Sequence, residues 1–390
     1  MPETKSTHKA EVLYIDQLGA IEGADKIGVA MAWGFPCVVR KEDFEKNTNH
    51  LWVYIQPDSM VPLEMKQFAF LDTKKAGGYG RITVRKYRGQ KSFGLLLTAP
   101  KGAKVGDDLA EKWGILHYEP AAKGEPTPPK CGFNNRLLRK IARLSAQYGD
   151  KPPKMAVPYY DIEALRRYPD TFSNIDVVAV TEKIHGANSC YLWEDRGPWF
   201  VPLWNFRRWL VNKVMIFRKP VPRLHPDARF LRARSRQVWQ QPTVNNAWMK
   251  ACPPGVIQFL RERKGHVVFG ELYGPSVQKL HYGEPEPKIL VFDILGPGNT
   301  GWLQWNDVRW LGVYFKFDTV PELYYGLYYF NKIAAMADGK TTLNGGPHTR
   351  EGIVVKSAIE KRHPRLGRMI LKMVGFEYYE KQLEEGKTEV

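Results

Sequence analysis

Residues 181–192 read TEKIHGANSCYL and place a lysine, Lys183, between two apolar runs, IDVVAV and SCYLW. The runs are typical of two β-strands, and the lysine is followed closely by His185 and Gly186. A lysine between strands is most simply a solvated edge charge, and a K-x-H-G string also arises by chance. Whether Lys183 has a chemical role therefore depends on what the rest of the chain supplies.

The chain is long and strongly basic. At 390 residues it exceeds what one compact core usually holds, which predicts two domains. Its 43% hydrophobic and 25% charged residues are typical of a folded globular protein and exclude an intrinsically disordered chain. The 58 Lys and Arg against 41 Asp and Glu give a net charge of +17, which favours a polyanionic partner. Nucleic acid is the first candidate for that partner, and an anionic membrane surface is the second.

The cysteine spacing and the N-terminus indicate a reduced, cytoplasmic protein. The cysteines lie dozens of residues apart without a C-x-x-C pair, which excludes a zinc site and a dense disulfide framework. The N-terminal MPETKSTHKAEV has no signal-peptide core, and the most apolar later stretch is interrupted by Glu322, Asn331 and Lys332. We therefore expect no membrane anchor. Free thiols are expected at Cys37, Cys131, Cys190 and Cys252.

The order of sequence patterns predicts an α+β protein with two domains and a linker. Residues 1–118 contain short apolar runs with closely spaced turn signals, which predicts a small β-barrel of OB type that binds nucleic acid. Residues 119–157 are rich in proline and glycine around a basic helical stretch, NNRLLRKIARLSAQ, and are interpreted as a linker. Residues 158–390 alternate strand-like runs with helical segments, which predicts a mixed α+β domain.

A stretch at 204–236 combines aromatic and basic residues at helical spacing. We predict that its apolar stripe faces the core and that its basic residues face outward, where they suit a phosphate backbone. A helix lying on a membrane surface is the alternative. The stripe consists of Phe206, Trp209, Leu210, Val214 and Phe217, and the basic positions are Arg207, Arg208, Arg218 and Lys219.

A chemical role for Lys183 requires a supporting set of side chains. If Lys183 attacks the α-phosphate of a nucleotide, its amine must be neutral, so neighbouring cations and restricted hydration must depress its pKa. The site also needs groups for the ribose, the base, a metal ion and the phosphates. In the run EGIVVKS, regular alternation places Glu351 and Lys356 on opposite faces, so we expect a twist or bulge there. Residues of the required types occur downstream near the ends of strand-like runs: Arg236, Glu271, Phe292, Asp293, Glu351, Lys356 and Lys372.

Five motifs, taken in order, resemble those of the covalent nucleotidyltransferases, namely the polynucleotide ligases and messenger-RNA capping enzymes. EKIHGAN at 182–188 resembles the nucleotidyl-lysine motif in its RNA-ligase form, because DNA ligases and capping enzymes usually carry Asp in place of His185. VVFGELYG, ILVFDI, EGIVVK and MILKM are similar to the later motifs, and the resemblance covers about residues 158–380. RITVRKYRGQKSFGLLL and VYIQPDSMVP look like the leading OB-type domain of nick-sealing RNA ligases. The resemblance implies a nucleotidyltransferase domain with antiparallel sheets over 158–390.

The resemblance implies a role for individual residues at the nucleotide. Lys183 would form a covalent lysyl-AMP adduct, with Glu182 at the adenine edge and Phe292 stacked on the adenine face. Arg236 and Glu271 would hold the ribose, and Arg234 is an alternative to Arg236 because ARSR offers both. The full set implied at the nucleotide is Glu182, Ile184, Arg236, Glu271, Phe292, Lys356 and Lys372.

The same resemblance assigns the metal, the phosphates and the RNA end. Glu351 and Asp293 would bind a divalent metal, Mg²⁺ or Mn²⁺, at the phosphates of ATP. Lys356 and Lys372 would neutralise charge on the α-phosphate and on the leaving pyrophosphate. The residues implied at the RNA end or its phosphate are His185 and Asn188.

The sequence departs from the family's pattern in its last motif and in its length. Ile370 stands where the motif often has a first lysine, so Lys372 is left alone there, and only 18 residues follow Lys372. The appended OB domain of DNA ligases and capping enzymes is therefore not expected. We predict an ATP-dependent RNA ligase that joins 3′-OH and 5′-phosphate ends at nicks in duplex RNA or an RNA/DNA hybrid. The residues predicted to dock its barrel on nucleic acid are Arg81, Arg85, Lys86, Tyr87 and Arg88.

Three alternatives stay open from the sequence. A DNA ligase or a capping-type guanylyltransferase would share Lys183, and would differ in its need for RNA at the 3′-OH side or in using GTP. A non-catalytic RNA-binding protein would keep the charge and the barrel without becoming labelled by nucleotide. A basic membrane-associated protein would bind anionic vesicles. The sequence determines neither the oligomeric state, nor the physiological RNA, nor the preference for duplex over single-stranded ends.

Overall fold

The computed structural model describes residues 10–57, 59–71, 78–117, 150–214, 221–278, 280–364 and 366–378. The chain divides into two compact units, one formed by Met1–Ala122 with Tyr379–Val390 and the other by Lys123–Tyr378. The predicted linker helix and most of the predicted linker, 119–157, lie outside the described residues. The domain boundaries at 118 and 157 therefore stay predictions.

The first unit consists mainly of short strands. Its described elements are β1 (Ala10–Tyr14), β2 (Gly19–Ile21), β3 (Ala24–Ala32), β4 (Phe35–Arg40), α1 (Lys41–Lys46), β5 (Leu51–Ile55), β6 (Ser59–Pro62), a 3₁₀ turn at Lys66–Phe68, β7 (Tyr79–Arg81), β8 (Arg85–Tyr87), β9 (Gln90–Ser92), β10 (Leu95–Thr98) and β11 (Leu116–His117).

Antiparallel pairing arranges these strands in small sheets with the orders β1-β5-β10, β2-β3-β4 and β11-β6-β7, and in a β8-β9 hairpin. Strand alternation explains why β5 is buried on both faces. Trp52 and Tyr54 pack in one cluster with Cys37, whereas Val53 and Ile55 pack in another. The β-rich unit agrees with the prediction, but hydrogen bonding within the described strands does not close them into the predicted barrel.

The β8-β9 hairpin carries most of the basic residues predicted to dock on nucleic acid. Arg88 and Gly89 form its two-residue turn, with φ values of 49° and 85°. Positive φ at both positions is typical of a type I′ turn, which suits the right-handed twist of the flanking strands. The hairpin leaves Arg85–Tyr87 exposed to solvent, as docking requires, whereas Arg81 at the end of β7 is half-buried.

The second unit is a mixed α+β fold, as predicted. Its strands and helices are β12 (Glu163–Ala164), β13 (Val177–Lys183), β14 (Ala187–Trp193), α2 (Phe200–Val214), β15 (Leu231–Arg234), α3 (Ala247–Ala251), α4 (Pro254–Glu262), β16 (Val267–Tyr273), β17 (Lys288–Leu295), α5 (Trp305–Phe315), β18 (Glu322–Leu327), α6 (Phe330–Ala335), β19 (Gly352–Ser357), β20 (Arg362–His363), β21 (Gly367–Arg368) and β22 (Ile370–Val374). Its 3₁₀ turns lie at Leu165–Arg167, Pro169–Thr171, Pro297–Asn299 and Leu343–Gly345.

Two sheets form the framework of the second unit, and the K-x-H-G turn joins them. One sheet has the order β12-β22-β19-β13-β18, and the other has the antiparallel order β15-β14-β16-β17. β13 ends at Lys183 in the first sheet, whereas β14 begins at Ala187 in the second. A Cβ on Gly186 would lie 2.3 Å from the carbonyl oxygen of Leu272, so the turn between the sheets requires glycine. Lys183 therefore lies at the junction of the two sheets.

The two faces of the first sheet differ because strand side chains alternate. Val180, Val355 and Met373 project to one face and pack in an apolar cluster with Tyr328 and Ile333. The opposite face carries the alternate positions of β13, β19 and β22, which include three of the predicted site lysines.

The second sheet is covered by helices on one face. Val268 packs there in an apolar cluster with Phe259 of α4 and Val308 of α5. On the other face, the ring of Tyr160 lies 5.3 Å from the ring of Phe269. The aromatic residues of β16 and β17 therefore lie beside the segment of the second unit that precedes β12.

Of the twist or bulge expected in the EGIVVKS strand, the bulge is absent, and that part of the expectation is wrong. β19 pairs with β13 and with β22 without a shift in register. Glu351 lies one residue before β19 begins, so strict strand alternation does not fix the direction of its side chain. Glu351 and Lys183 therefore meet without any irregularity in β19.

The aromatic face of α2 is exposed, contrary to the prediction. Phe206 and Trp209 are 61% and 55% exposed, whereas half-buried Trp204 donates a hydrogen bond to the Pro222 carbonyl at 3.2 Å. Arg207 lies 5.1 Å from the Trp204 ring and is also half-buried. The sequence contains two apolar stripes at helical spacing. The tertiary contacts of Trp204 show that the stripe with Trp204, instead of the predicted one, packs inward. The remaining predicted residues whose side chains lie outside the described structure are Leu210, Val214, Phe217, Arg218 and Lys219.

The described cysteines agree with the expectation of free thiols. Cys37, Cys190 and Cys252 are free and buried, and Cys131 lies outside the described residues. Burial raises the pKa of the Cys190 thiol to about 12, so this thiol stays protonated at neutral pH. Among the described helices, none has the length and apolar character needed to cross a membrane.

Candidate active site

Lys183 forms an ion pair with Glu351 at the junction of the two sheets. Lys183 is the last residue of β13, and its ammonium donates a hydrogen bond to Glu351 Oε1 at 2.5 Å. Glu351 directly precedes β19, whose first residue, Gly352, pairs with Lys183. A Cβ on Gly352 would lie 2.1 Å from the carbonyl oxygen of Met373, so β19 packs this closely on β22 only with glycine. Antiparallel pairing thus joins two residues that are 168 positions apart.

The charges around Lys183 favour its ammonium form. Burial lowers the pKa of Lys183, but the carboxylates of Glu351 and Glu271 outweigh burial and raise the pKa above its ordinary value. The neighbouring guanidinium of Arg236 opposes this increase. The expected depression of the Lys183 pKa is therefore wrong for this structure, because two carboxylates act more strongly on the amine than the nearby cation does.

Glu271 is a residue of the second sheet that interacts electrostatically with Lys183. It lies on β16, in register with Asn188 on β14. Burial raises the pKa of Glu271 to about 8, Lys183 lowers it, and Glu351 raises it. Two carboxyl groups and the Lys183 amine therefore interact electrostatically at the end of β13.

The three predicted site lysines share one face of the first sheet. Lys356 pairs with Ala179, and Lys372 pairs with Val354, which in turn pairs with Thr181. Because β13 alternates, the side chains at 179, 181 and 183 project to the same face as these partners. The sheet therefore presents Lys183, Lys356 and Lys372 together, although Ile370 stands in place of the first lysine of the last motif.

Lys356 and Lys372 differ in their surroundings. The ammonium of Lys356 donates to the carbonyl oxygen of Phe292 at 2.7 Å and lies 4.5 Å from the ring of Trp305. Burial lowers the pKa of Lys356, and Asp293 partly offsets this. Burial also lowers the pKa of Lys372, which Asp161 raises and Lys183 lowers further. Lys372 is therefore the predicted phosphate ligand with the stronger electrostatic coupling to Lys183.

The geometry distinguishes between the two arginines of ARSR. Arg234 is 5% exposed, and its guanidinium donates to the carbonyl oxygens of Val157 at 3.1 Å and Pro158 at 2.7 Å. Arg236 is largely exposed, lies 3.0 Å from Asp161, and acts electrostatically on Lys183. Arg236 is therefore the arginine that faces the Lys183 site, and its contact with a ribose stays a prediction.

Glu182 and Ile184 flank Lys183 but point elsewhere. Glu182 is 1% exposed, and its Oε2 accepts hydrogen bonds from the backbone and hydroxyl of Thr342, both at 2.8 Å. Its other oxygen, Oε1, is buried without a hydrogen-bond partner in the described structure. Ile184 is 3% exposed and packs in the core. The predicted nucleotide contacts of both residues stay predictions.

Phe292 and Asp293 lie where the pairing of β16 with β17 shifts register. Phe292 is half-buried, and its ring lies 4.8 Å from the ring of Tyr160 at an angle of 55°. Asp293 is 1% exposed and accepts hydrogen bonds from the Tyr160 hydroxyl at 2.7 Å and from Arg368 at 2.8 Å. Metal binding by Asp293 stays a prediction, and it would require this buried ion pair to open.

His185 is held by two tyrosines that sequence reasoning missed. Its backbone N–H donates to the Tyr282 hydroxyl, and its Nδ1 lies 2.8 Å from the Tyr378 hydroxyl. Neither tyrosine belongs to a motif that gave a signal in the sequence. The side-chain amide of Gln278 also reaches the turn and donates to the carbonyl oxygen of Gly186 at 3.3 Å.

The carboxylates at Lys183 fit a divalent metal. Oε2 of Glu351 is buried and has no hydrogen-bond partner among the described residues. Such an oxygen suits a water or a direct bond of a hydrated Mg²⁺, which prefers oxygen ligands. No group of three or more His, Cys, Asp or Glu side chains forms a ready metal site within the described ranges. Other ligands of a metal here would therefore come from water and phosphate oxygens.

Comparison with known families decides the class of the protein. Residues 176–374, more than half of the chain, match the model of the RNA ligase family. The chain belongs to the RNA ligase family. A model of an OB-fold domain matches residues 10–99 of this RNA ligase, which confirms the OB-type assignment of its N-terminal strands.

Solved structures of the Naegleria gruberi RNA ligase share the fold of this RNA ligase. A mutant with ATP and Mn has a TM-score of 0.68 at 21% identity, covering 96% of this chain and 98% of that chain. A mutant without ligand has a TM-score of 0.68 at 22% identity, covering 97% and 99%. A structure with PPi has a TM-score of 0.67 at 22% identity, covering 96% and 98%. A search of curated proteins found no match to this RNA ligase.

Proposed function

We propose that this RNA ligase uses ATP and a divalent metal to adenylate Lys183, and then joins a 3′-OH end to a 5′-phosphate end at nicks in duplexes. The observation that carries the proposal is the placement of Lys183 against Glu351 and Glu271, on the sheet face that also carries Lys356 and Lys372. The Naegleria gruberi RNA ligase has been solved with ATP and Mn and with PPi, which supports the choice of nucleotide and metal.

The first step is the attack of the neutral Lys183 amine on the α-phosphorus of ATP. A P–N bond forms, the bond to the bridging oxygen breaks, and pyrophosphate leaves with the electron pair. Glu351 Oε1, at 2.5 Å from Nζ, is positioned to accept the proton that the ammonium must lose. Lys372 and Lys356 would neutralise charge on the α-phosphate and the pyrophosphate. A metal held by Glu351 would supply further charge neutralisation at the phosphates.

The nucleotide-recognition residues are proposed from the same geometry. Oε1 of Glu182, the oxygen without a partner among the described residues, would accept from the adenine amine. Phe292 would stack on the base, because Tyr160 supports its ring from one side. Arg236 is free of the main-chain contacts that hold Arg234, so it would reach the ribose.

The second and third steps transfer AMP and then release it. A 5′-phosphate oxygen attacks the phosphorus of lysyl-AMP and the P–N bond breaks, so that the Lys183 nitrogen leaves with the electron pair and takes back the proton that Glu351 accepted in the first step. The 3′-hydroxyl oxygen then attacks the 5′-phosphate of the adenylylated end, and AMP leaves as the phosphodiester forms. His185 and Asn188 are proposed to contact the RNA phosphate, and the β8-β9 hairpin is proposed to hold the backbone of the duplex.

The proposal is tested by labelling with α-³²P-ATP and Mg²⁺, followed by denaturing electrophoresis. Wild type should keep a covalent label, and Lys183→Ala should lose it. Lys183→Arg should also lose it, because a guanidinium stays protonated and does not attack. Labelling by GTP in place of ATP would favour a capping-type enzyme, and a label that persists in both variants would contradict the assignment of Lys183.

Sealing is tested separately on nicked duplexes that carry RNA or DNA at the 3′-OH side. The proposal predicts sealing when the 3′-OH belongs to RNA and little sealing when it belongs to DNA. Equal sealing of both substrates would instead support a DNA ligase. Binding of nicked RNA without any covalent label, in Mg²⁺ or Mn²⁺, would leave only a non-catalytic RNA-binding protein.

A further inference from the structure

One face of α2 is a continuous apolar stripe that is exposed to solvent. This exposed stripe consists of Trp199, Pro202, Leu203, Phe206 and Trp209, which recur every three or four positions. Helical geometry places side chains with this spacing on one face. Trp199 and Leu203 are 72% and 63% exposed, so the stripe extends well beyond Phe206 and Trp209. A contiguous apolar surface of this kind indicates an interaction site.

Contacts on the other side of α2 fix the orientation of the exposed stripe. The indole of Trp204 donates to the carbonyl oxygen of Pro222, and Oδ1 of Asn212 accepts from the backbone N–H of Val221 at 2.8 Å. Val221 is buried, so these contacts attach α2 to the interior of the fold. The exposed stripe is therefore the side that α2 turns toward solvent.

The charge near the exposed stripe favours an anionic partner. Residues 196–226 contain seven Lys and Arg and no Asp or Glu. The exposed ammonium of Lys213 lies 5.7 Å from the centre of the Trp209 ring. A second copy of the chain would bring the same positive charge to this face, and like charges across an interface are unfavourable. The charge therefore argues against self-association and for a polyanion.

The arrangement of the rings favours RNA among the anionic partners. The rings of Phe206 and Trp209 are stacked, with centres 6.0 Å apart and planes at 27°. Exposed rings beside a cation suit a single strand, because every base has a face that stacks on an aromatic side chain and every phosphate attracts the cation. Bases inside a duplex already stack on each other, so their faces are not available. A ligase of this family also has to hold RNA, whereas its reaction needs no lipid surface.

Helix α2 begins well away from Lys183. β14 leads from the K-x-H-G turn through seven residues, which is about 20 Å of extended chain. In the loop that follows, Arg196 donates to the carbonyl oxygen of Leu231, which pairs with Trp193 at the far end of β14. An RNA strand that meets the start of α2 therefore lies away from the reacting ends, where it contributes to binding and not to the chemistry.

We propose that the exposed stripe of α2 binds single-stranded RNA next to the break. Phe206 and Trp209 stack on unpaired bases, and Lys213 contacts the phosphates beside them. The preferred substrate is then a broken RNA that carries unpaired nucleotides beyond the duplex at the nick. This choice of substrate rests on the proposed function, whereas the binding itself does not require adenylation of Lys183.

Binding is measured by fluorescence anisotropy without ATP, using a labelled single-stranded oligo(U) RNA of about 12 nucleotides and a blunt RNA duplex of the same length. Replacing Phe206 and Trp209 together by Ala should weaken binding of the single strand about tenfold or more, because two stacking faces are lost. Binding of the blunt duplex should change little, since it presents few free base faces.

Helix α5 offers a matched control. Trp310 and Tyr314 are also exposed and stacked, with ring centres 5.2 Å apart, but Asp307 and Asp318 lie nearby in the sequence. Replacing Trp310 and Tyr314 together by Ala removes the same kind of surface without the cationic surroundings. This control variant should bind the single strand as the wild type does.

A second variant separates stacking from apolar burial. Replacing Phe206 and Trp209 together by Leu removes the rings but keeps an apolar face that a membrane surface accepts. The proposal predicts that the Leu variant loses affinity for the single strand as the Ala variant does. Unchanged RNA affinity, with binding to phosphatidylserine vesicles by both the wild type and the Leu variant, would instead identify a membrane-binding face.

Three further results would overturn the proposal. Equal affinity of the wild type and the Ala variant for the single strand would show that the exposed stripe does not bind RNA. An equal loss in the α5 control would assign the effect to the removal of surface aromatic residues in general. A dimer in sedimentation that the Ala variant no longer forms would identify a second copy as the partner. Absence of a covalent label on the wild type would contradict the proposed function alone, because the anisotropy measurement uses no ATP.

Discussion

The Lys183–Glu351 pair holds the proposed nucleophile in its unreactive form. The carboxylates raise the pKa of Lys183, yet attack on phosphorus requires the neutral amine. The same contact resolves this conflict, because Glu351 Oε1 lies close enough to take the proton as the reaction begins. At the residue scale, Glu351 therefore has two proposed tasks, as proton acceptor and as metal ligand.

Replacing Glu351 tests both tasks together. Glu351→Gln should slow adenylation of Lys183 at least about 100-fold, because an amide neither accepts the proton nor binds a metal well. ATP binding should change little, since the effect lies in the reacting state. Glu322→Gln is the control, because Glu322 is a half-buried carboxylate that accepts from Trp305. The measurements are single-turnover labelling and equilibrium binding of ATP, and normal labelling by Glu351→Gln would make this residue structural.

Glu271 should make stability depend on pH. Its pKa is raised from an ordinary 4.5 to about 8 by burial, so between these values the folded protein keeps a proton that the unfolded chain releases. Stability should therefore fall as pH rises from 5 to 8. In Glu271→Gln, the free energy of unfolding should decrease between pH 5 and 8 by about 1 kcal/mol or more less than in the wild type. Urea unfolding of the protein without nucleotide or metal measures this difference. Parallel pH profiles for wild type and variant would show that Glu271 is charged in the fold.

Substitutions at the two arginines of ARSR should have different effects, one on the use of ATP and the other on the stability of the fold. Arg236→Ala should raise the KM for ATP about tenfold at nearly unchanged stability, because its guanidinium is exposed. Arg234→Ala should lower the free energy of unfolding by about 2 kcal/mol, because it removes a buried guanidinium that donates to the carbonyl oxygens of Val157 and Pro158. ATP titration of labelling and chemical denaturation measure the two effects. The reverse pattern would assign the ribose contact to Arg234.

At the scale of elements, the β8-β9 hairpin is an exposed basic feature of the first unit. Replacing Arg85, Lys86 and Arg88 by Ala should lower the slope of log affinity against log salt for a nicked duplex, by about 0.9 for each phosphate that the variant no longer neutralises. Labelling of Lys183 should be unchanged. Replacing three exposed lysines of the same unit, Lys101, Lys104 and Lys112, changes the charge equally and serves as control. An equal decrease in both triple variants would assign binding to overall charge instead of the hairpin.

Helix α2 shows where element-level prediction from sequence fails. Periodicity predicted the helix but selected the wrong face, because Phe206 and Trp209 satisfy the helical spacing as well as Phe200 and Trp204 do. The Trp204 contact with Pro222 decides which stripe packs inward, and that contact depends on tertiary structure. The β19 strand shows the opposite case, since its pattern was predicted correctly and only the expected bulge was wrong.

At the scale of the molecule, the sequence predicted the α+β class, the OB-type N-terminal strands and the ligase family, because motif order and strand periodicity are local properties. The three lysines that it assigned to the site share one sheet face, and their roles stay predictions. The sequence did not predict Tyr282 or Tyr378, which contact His185 through long-range packing that leaves no spacing pattern. The raised pKa of Lys183 was missed for the same reason, since it depends on two carboxylates from distant strands.

The division into two units predicts that adenylation and sealing can be separated. Lys183 and the other proposed nucleotide residues lie in the second unit, which has apolar clusters of its own, whereas the exposed basic hairpin lies in the first. A chain shortened to begin at residue 150 should therefore label with ATP about as well as the full chain. It should seal nicked RNA at least about tenfold more slowly, because it lacks phosphate contacts that hold the duplex. Single-turnover sealing of a pre-adenylylated nick isolates this step from ATP use. Equal sealing by both chains would give the first unit some other task, and an absence of labelling would show that the second unit needs the first in order to fold or to bind ATP.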